Sequence, residues 1–208
     1  GLQTVYSLVR AGLVKRPLLI GADCNSRVID YTDRETCILF GDGAGAVVVG
    51  EVPEGRGILG NSSGSDGANA MFITQKIGAG AHPYDKENVQ TKDRFMKMNG
   101  REVYKFAVRV INEALEDALR DAGLKMADVD LLVMHQANVR IIRSAMERFG
   151  FKEENVVINM DKYGNTSAAS IPLALDSARR EGKLHPGTLC GLVAFGGGLT
   201  FGATILRW

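Results

Sequence analysis

Apolar positions change their period several times along this chain, and each change marks an element. Near the start Leu2, Val5, Leu8 and Val9 recur at helical spacing up to about Gly12. PLLIGAD (17–23) is a continuous apolar run of strand length and reads as a fully buried strand. A polar crossover with Arg27, Asp30, Asp33 and Arg34 follows, and then TCILFGDGAGAVVVGEV (36–52), a strand pair or long bent strand broken by Gly41, Gly43 and Gly45. Residues 53–97, rich in Gly, Ser, Asn and Asp, have a weak periodicity that fits strands with a long loop. The longest helical pattern comes next. Val103, Phe106, Ala107, Val110, Ile111, Ala114, Leu115 and Ala118 share one face, Asn99 with Glu102 resembles a capping box, and Gly123 stands where the helix should stop.

The second half alternates strand and helix. The spacing predicts a strand over 129–134, a helix over 138–149 and a short strand NVVIN (155–159). A helix follows from Ser167 or Ser170 to Arg180, with Pro172 tolerable only in its first turn. TLCGLVAF and LTFGATILRW read as two strands around a glycine turn. This alternation predicts α/β layering with a mostly buried sheet. Three turns share one topological position: HQAN after strand 129–134, GNTSAAS (164–170) after 155–159, and GGG (196–198) after 188–195. If the first and third strands are parallel neighbours, the turns converge at one sheet edge, where α/β proteins commonly bind ligands. A strand-end His, an Asn-Thr-Ser cap and a glycine turn each also have plain structural uses.

Charge narrows the classes. With 25 basic and 24 acidic residues the net charge is +1, which argues against a dedicated nucleic-acid or membrane-surface protein. An apolar fraction of 45% over 208 residues supports a sizeable core in one or two domains. No apolar run reaches membrane-spanning length. Cys24, Cys37 and Cys190 are odd in number and lack metal-ligand spacing, so reduced thiols in a cytoplasmic setting are expected, with no metal. The opening helical stripe has neither Met nor a capping residue ahead of it, and residues upstream of Gly1 are expected.

The motifs gain specificity from their order. TDR (32–34), FGDGAGAVVV (40–49), MNGREVYKFA (98–107), MHQAN (134–138), YGNTSAAS (163–170) and FGGGLTFGA (195–203) together resemble β-ketoacyl-acyl carrier protein synthase III, over essentially the whole chain. That family belongs to the thiolase-like condensing enzymes. The resemblance implies a five-layered αβαβα fold of two similar halves, normally a homodimer. Residues 1–53 would be the remainder of the first half and 54–208 the second. It implies acyl transfer from coenzyme A to a cysteine, then decarboxylative condensation with malonyl-acyl carrier protein to start fatty-acid synthesis. The cysteine would lie a few residues before Gly1.

By the same resemblance His135 and Asn165 donate to the enolate left by decarboxylation, and the Gly197 N–H serves a second oxyanion hole. Arg34 and Arg140 would meet coenzyme A, Ala137 and Asn138 would line its pantetheine channel, and Phe40 and Met98 would border the acyl pocket. Lys105, Arg140 and Arg148 would dock the acidic carrier protein. Coenzyme A is then a substrate, and no resident cofactor is implied. The short pocket suggested by Phe40 points to a small starter such as acetyl-coenzyme A. Cys37 and Cys190, inside apolar runs, and Cys24, with no helix behind it, are poor candidates for the nucleophile.

Departures are few. Phe201 stands where family members often carry Trp. Glu35 puts a negative charge beside Arg34, which weakens its assignment to a phosphate, and 62–97 matches poorly. Two other readings stay open: a ketosynthase-III-like enzyme of polyketide, quinolone or olefin biosynthesis, and a nucleophile-lacking subunit that binds coenzyme A or carrier protein. The paired donors His135 and Asn165 weigh against the last.

Overall fold

A computed structural model describes residues 1–208. The elements in chain order are α1 (Leu2–Arg10), β1 (Leu18–Asp23), α2 (Arg34–Cys37), β2 (Gly43–Val48), β3 (Gly57–Ser65), β4 (Ile73–Thr74) and β5 (Lys97–Met98). They continue with α3 (Gly100–Ala122), β6 (Leu131–Met134), α4 (Val139–Phe149), α5 (Met160–Tyr163), α6 (Ser170–Arg180), β7 (Leu189–Gly196) and β8 (Thr200–Arg207).

The main sheet has the order β3-β8-β7-β6. β6 runs parallel to β7, and β8 is antiparallel to both β7 and β3. Both faces of β6 are covered, so it reads as an unbroken apolar run rather than an alternating one. Leu132 and Met134 join a core with α3 and α4, while Leu131 and Val133 join a second core with Ala174, Leu175 and Ala178 of α6. β1 and β2 form a separate antiparallel pair, with Leu18 opposite Val48 and Asp23 opposite Gly43. This pair packs on α6 and on the turn Ser167–Ala169. The layers therefore run α3/α4, main sheet, α6, β1–β2, four of the five that were expected. α1 leans on the main sheet through Gln3, whose Nε2 donates to Ser62 O (3.0 Å) and Ala203 O (3.2 Å).

The long helix forms as its pattern predicts. Asn99 Oδ1 accepts from Glu102 N, and Gly123 ends the helix at φ +68°, a left-handed conformation that suits glycine. The capping box is only half made, because the Glu102 carboxylate turns to Lys105 Nζ at 2.7 Å.

Four expectations are corrected. β1 is not fully buried: Leu18 and Ile20 are 57% and 60% exposed, because the two-stranded pair is covered on one face only. Residues 36 and 37, expected in a strand, close the helix α2, since Asp33 Oδ1 accepts from Glu35 N (3.1 Å) and starts a turn; only 43–48 pair as strand. Cys37 consequently sits on α2. The segment 155–159 makes a single parallel bridge, Val156 to Leu132, in place of a strand.

Two glycines set the distance between layers. A methyl group at Gly21 would land on the Ala168 carbonyl, and one at Gly41 on the Tyr163 carbonyl. Without side chains there, loop 163–170 lies directly against β1 and the segment before β2. No helix is long and apolar enough to cross a membrane.

Leu115 on α3 is fully buried beneath the main sheet. Leu115→Ala is expected to lower unfolding free energy by about 3 kcal/mol in urea titrations. Arg120→Ala, which removes an exposed pair with Asp117, should cost about 1 kcal/mol or less.

Candidate active site

Strand β6 stops at Met134, but its ladder runs one bond further, from His135 N to Val193 O (2.8 Å). The next residue turns away. Gln136 N donates to Ser170 Oγ at 2.7 Å, and the buried Gln136 side chain bonds Met134 O (2.9 Å), Val157 O (3.0 Å) and Asn159 N (3.0 Å). It supplies the cross-links that a full strand at 155–159 would have made. Asn138 then caps α4, its Oδ1 accepting from Arg140 N (2.9 Å), and Ile141, Ile142 and Ala145 bury the helix. His135 is thus held between a finished strand and a capped helix.

The His135 ring lies edge-on to Phe195, with centroids 5.6 Å apart at 73°, and its Nδ1 is 3.0 Å from Ser170 Oγ. No protein acceptor meets Nε2. The residue keeps some exposed surface, yet desolvation of the ring prevails and pushes its pKa from 6.5 down to about 4. At neutral pH it is an uncharged donor or acceptor.

Asn165 is 7% exposed. Its backbone bridges the segment before β2, with Asn165 N donating to Leu39 O (2.8 Å) and Gly41 N to Asn165 O (2.9 Å). Its Oδ1 accepts from Ser167 N (3.0 Å), which fixes the amide and leaves the NH₂ without a protein acceptor. Ser167 has φ +50°, a strained conformation for a side-chain-bearing residue. Surrounding bonds hold it there: Ser167 Oγ donates to Asn25 Oδ1 (3.1 Å), and Ala168 N to Asp23 Oδ2 (2.9 Å). Asn25 Nδ2 also donates to Gly41 O (2.8 Å). Asp23 and Asn25 escaped the sequence reading, because nothing local marks a residue whose partners lie over 140 positions away.

The glycine turn closes the third side. Gly198 has φ +135° and requires glycine, whereas a methyl at exposed Gly197 would make only ordinary contact with Ile73 Cγ2 at 3.7 Å. Ile73 pairs with half-buried Met98 across β4–β5, which places Met98 beside the turn. Half-buried Phe40 bridges Asn165 through its backbone. Phe201 packs edge-on against Phe106, centroids 6.1 Å apart. Parallel pairing of β6 with β7 and the His135–Ser170 contact bring HQAN, GNTSAAS and GGG to one edge.

The predicted cations are less unified. Arg34 is exposed at the start of α2, and Arg140 in the first turn of α4. The adjacent segment is anchored by Asp30, whose carboxyl is held at about 2 by the Thr32 hydroxyl and backbone N–H and then by Lys92. Ala137 is half-buried against the core. α3 and α4 both begin at the HQAN edge, so Lys105 and Arg140 share it, but Lys105 is paired with Glu102. Arg148 sits in the last turn of α4, roughly 12 Å along the axis from Arg140. Of the three residues expected to dock a carrier protein, Lys105 and Arg140 lie near the starts of their helices and Arg148 at the far end of α4.

Burial, with nearby Asp130, pushes the Cys190 thiol up to about 12, while Cys24 is exposed with Sγ 3.4 Å from Asp42 Oδ2. No cysteine bonds His135 or Asn165, and no His, Cys, Asp or Glu cluster is grouped to hold a metal. A cleft of about 1520 Å³, lined by α1, residues 46–59 and β8, touches none of His135, Asn165 or Gly197.

Layering and site geometry define a thiolase-like condensing-enzyme fold. Residues 1–67 match the family model described as 3-oxoacyl-[acyl-carrier-protein] synthase III, and residues 119–208 match the model of that family's C-terminal part. A β-ketoacyl-[acyl-carrier-protein] synthase III of Desulfitobacterium hafniense is 47% identical over all 208 residues. Among solved structures, the synthase III of Thermus thermophilus is 46% identical with a TM-score of 0.91 over the whole chain. The priming β-ketosynthase of the R1128 polyketide pathway is 33% identical, with a TM-score of 0.84 over 99% of the chain and 62% of its own. This chain belongs to the 3-oxoacyl (β-ketoacyl)-acyl carrier protein synthase III family. It spans 63% of the length of both the Desulfitobacterium relative and the Thermus structure.

Two measurements check the electrostatics. A His whose folded pKa lies below 6.5 contributes full stability above that pH and loses it as pH falls toward about 4, because only the unfolded chain takes up the proton. His135→Gln should therefore flatten the stability curve between these values; parallel curves would mean the ring titrates normally. Alkylation followed by mass spectrometry should label Cys24 in the folded protein and reach Cys190 only on unfolding.

Proposed function

We propose that this chain carries the decarboxylation half of a condensing site that initiates fatty-acid synthesis in the cytoplasm. The reading rests on one observation: His135 and Asn165 present two neutral donors at a shared edge, each clamped on its other side, with no protein group to receive them. A malonyl thioester bound there loses CO₂, and the electron pair of the broken C–C bond moves onto the thioester oxygen as an enolate. Preorganised N–H groups stabilise that charge as it forms. Because neither donor carries a full charge, neither tightens binding of the carboxylate that must leave, so their effect falls on the transition state.

The enolate carbon then attacks an acyl group held as a thioester on a cysteine, which we place on a segment upstream of Gly1. A new C–C bond forms, the cysteine thiolate leaves, and the product is a 3-oxoacyl thioester. The Gly197 N–H is assigned to the oxyanion of that tetrahedral intermediate. Starter acyl-coenzyme A, of which acetyl-coenzyme A suits the Phe40 side of the pocket, supplies the acyl group, and malonyl-acyl carrier protein the extender. Arg34, Ala137, Asn138 and Arg140 are assigned to coenzyme A, and Lys105 with Arg140 to the carrier protein. The division into 1–53, completing one half, and 54–208, forming the other, is supported by the change of sheet between β2 and β3, and two such protomers are assigned to a homodimer. Higher identity to the Thermus synthase than to the polyketide-priming enzyme supports fatty-acid initiation over a secondary pathway.

The test uses the polypeptide that contains this chain and its upstream cysteine. His135→Ala and Asn165→Ala are each expected to permit acylation by acyl-coenzyme A but to slow malonyl decarboxylation by roughly 10²- to 10³-fold. Carbon dioxide release at the parent rate from either variant would remove it from the donor role.

A further inference from the structure

Ser170 opens α6 five residues after Asn165, and its side chain is almost wholly buried, at 1% exposure. Its hydroxyl has two polar neighbours. Gln136 N lies 2.7 Å away, and a backbone N–H can only donate, so Oγ accepts there. His135 Nδ1 lies 3.0 Å away on the other side. The serine proton needs an acceptor, and Nδ1 is the one available. If Nδ1 carried the imidazole proton, the serine proton would be left unpaired in the interior, which folded proteins avoid. A neutral imidazole with an occupied Nδ1 lone pair holds its proton on Nε2.

We propose that Ser170 is a positioning residue: by donating to Nδ1 it fixes His135 as the Nε2–H tautomer and aims that N–H away from the protein. Loop 163–170 thereby carries one donor, Asn165, and orients the other. The catalytic consequence rests on the condensing-enzyme reading above, but the tautomer itself does not. Lowered basicity of the buried ring is consistent, since only a neutral imidazole has a tautomer to choose.

The decisive measurement is nitrogen-15 NMR of histidine-labelled protein containing the chain and its upstream segment. The His135 signals are those lost in His135→Gln, which leaves His82 and His185 of this chain in place. The expected spectrum shows a protonated Nε2 and a bare Nδ1. Ser170→Ala should convert this to a tautomer mixture and lower kcat for malonyl decarboxylation about 10- to 100-fold, with a smaller change in KM. Ser170→Thr, which keeps the hydroxyl, should restore both. A proton on Nδ1 in the parent protein overturns the assignment, as does a Ser170→Ala spectrum with an unaltered tautomer. If Ser170→Ala does not fold, the parent spectrum decides alone. An Nε2–H tautomer in a protein that decarboxylates no malonyl thioester would overturn the condensing reading and leave the role of Ser170 standing.

Discussion

The hydrogen bond from His135 N to Val193 O extends the β6–β7 pairing one residue past the end of β6, and the geometry of the site follows from it. The bond ties the HQAN turn to the strand that leads into the glycine turn, so the two cannot shift independently. Gln136 then anchors the same strand end to the 157–159 segment through two buried bonds, and a third returns to Met134 O on β6. Each such bond contributes only about 1 kcal/mol net, but leaving a buried partner unsatisfied costs up to roughly 3 kcal/mol. Slippage is therefore resisted more by what would be orphaned than by what is gained.

Loop 163–170 works as a wedge between the two sheets. Its contacts with Leu39, Gly41, Asp23 and Asn25 come from the first part of the chain, and its contact with His135 comes from the second. Glycines 21 and 41 permit the approach, and the strained Ser167 backbone is held by bonds on both sides. The edge that holds His135 and Asn165 is thus assembled from parts of the chain that share no element. Rigidity here comes from polar bonds, with Asn165, Ser167 and Ala168 all held by hydrogen bonds from or to side chains.

Helical faces with a single dominant partner were legible from periodicity alone. α3, α4 and the hairpin of β7 and β8 fall where the apolar spacing puts them, since each buries a continuous stripe. Leu18 and Ile20 misled because an apolar run reports side-chain chemistry and not whether a covering layer is present. Residues 36–37 misled because the Asp33 cap outweighs the strand preference of the apolar residues beyond it. At the site, position at a strand end singled out His135, and motif order supplied Asn165 and Gly197. Ser170 read as a helix start, and its link to His135 depends on a fold that periodicity does not encode. Arg140 and Arg148 are likewise eight residues apart on one helix, a separation in space that charge pattern alone does not convey.

Imidazole is the side chain that proteins most often use to sense acidity in the physiological range. Burial at the β6 edge takes that capacity away from His135, whose protonation is displaced to about pH 4. A fall of one pH unit from neutrality leaves the imidazole uncharged. The wall of Phe195 and the sheet edge thus keeps the ring in one protonation state across the range in which imidazoles ordinarily switch.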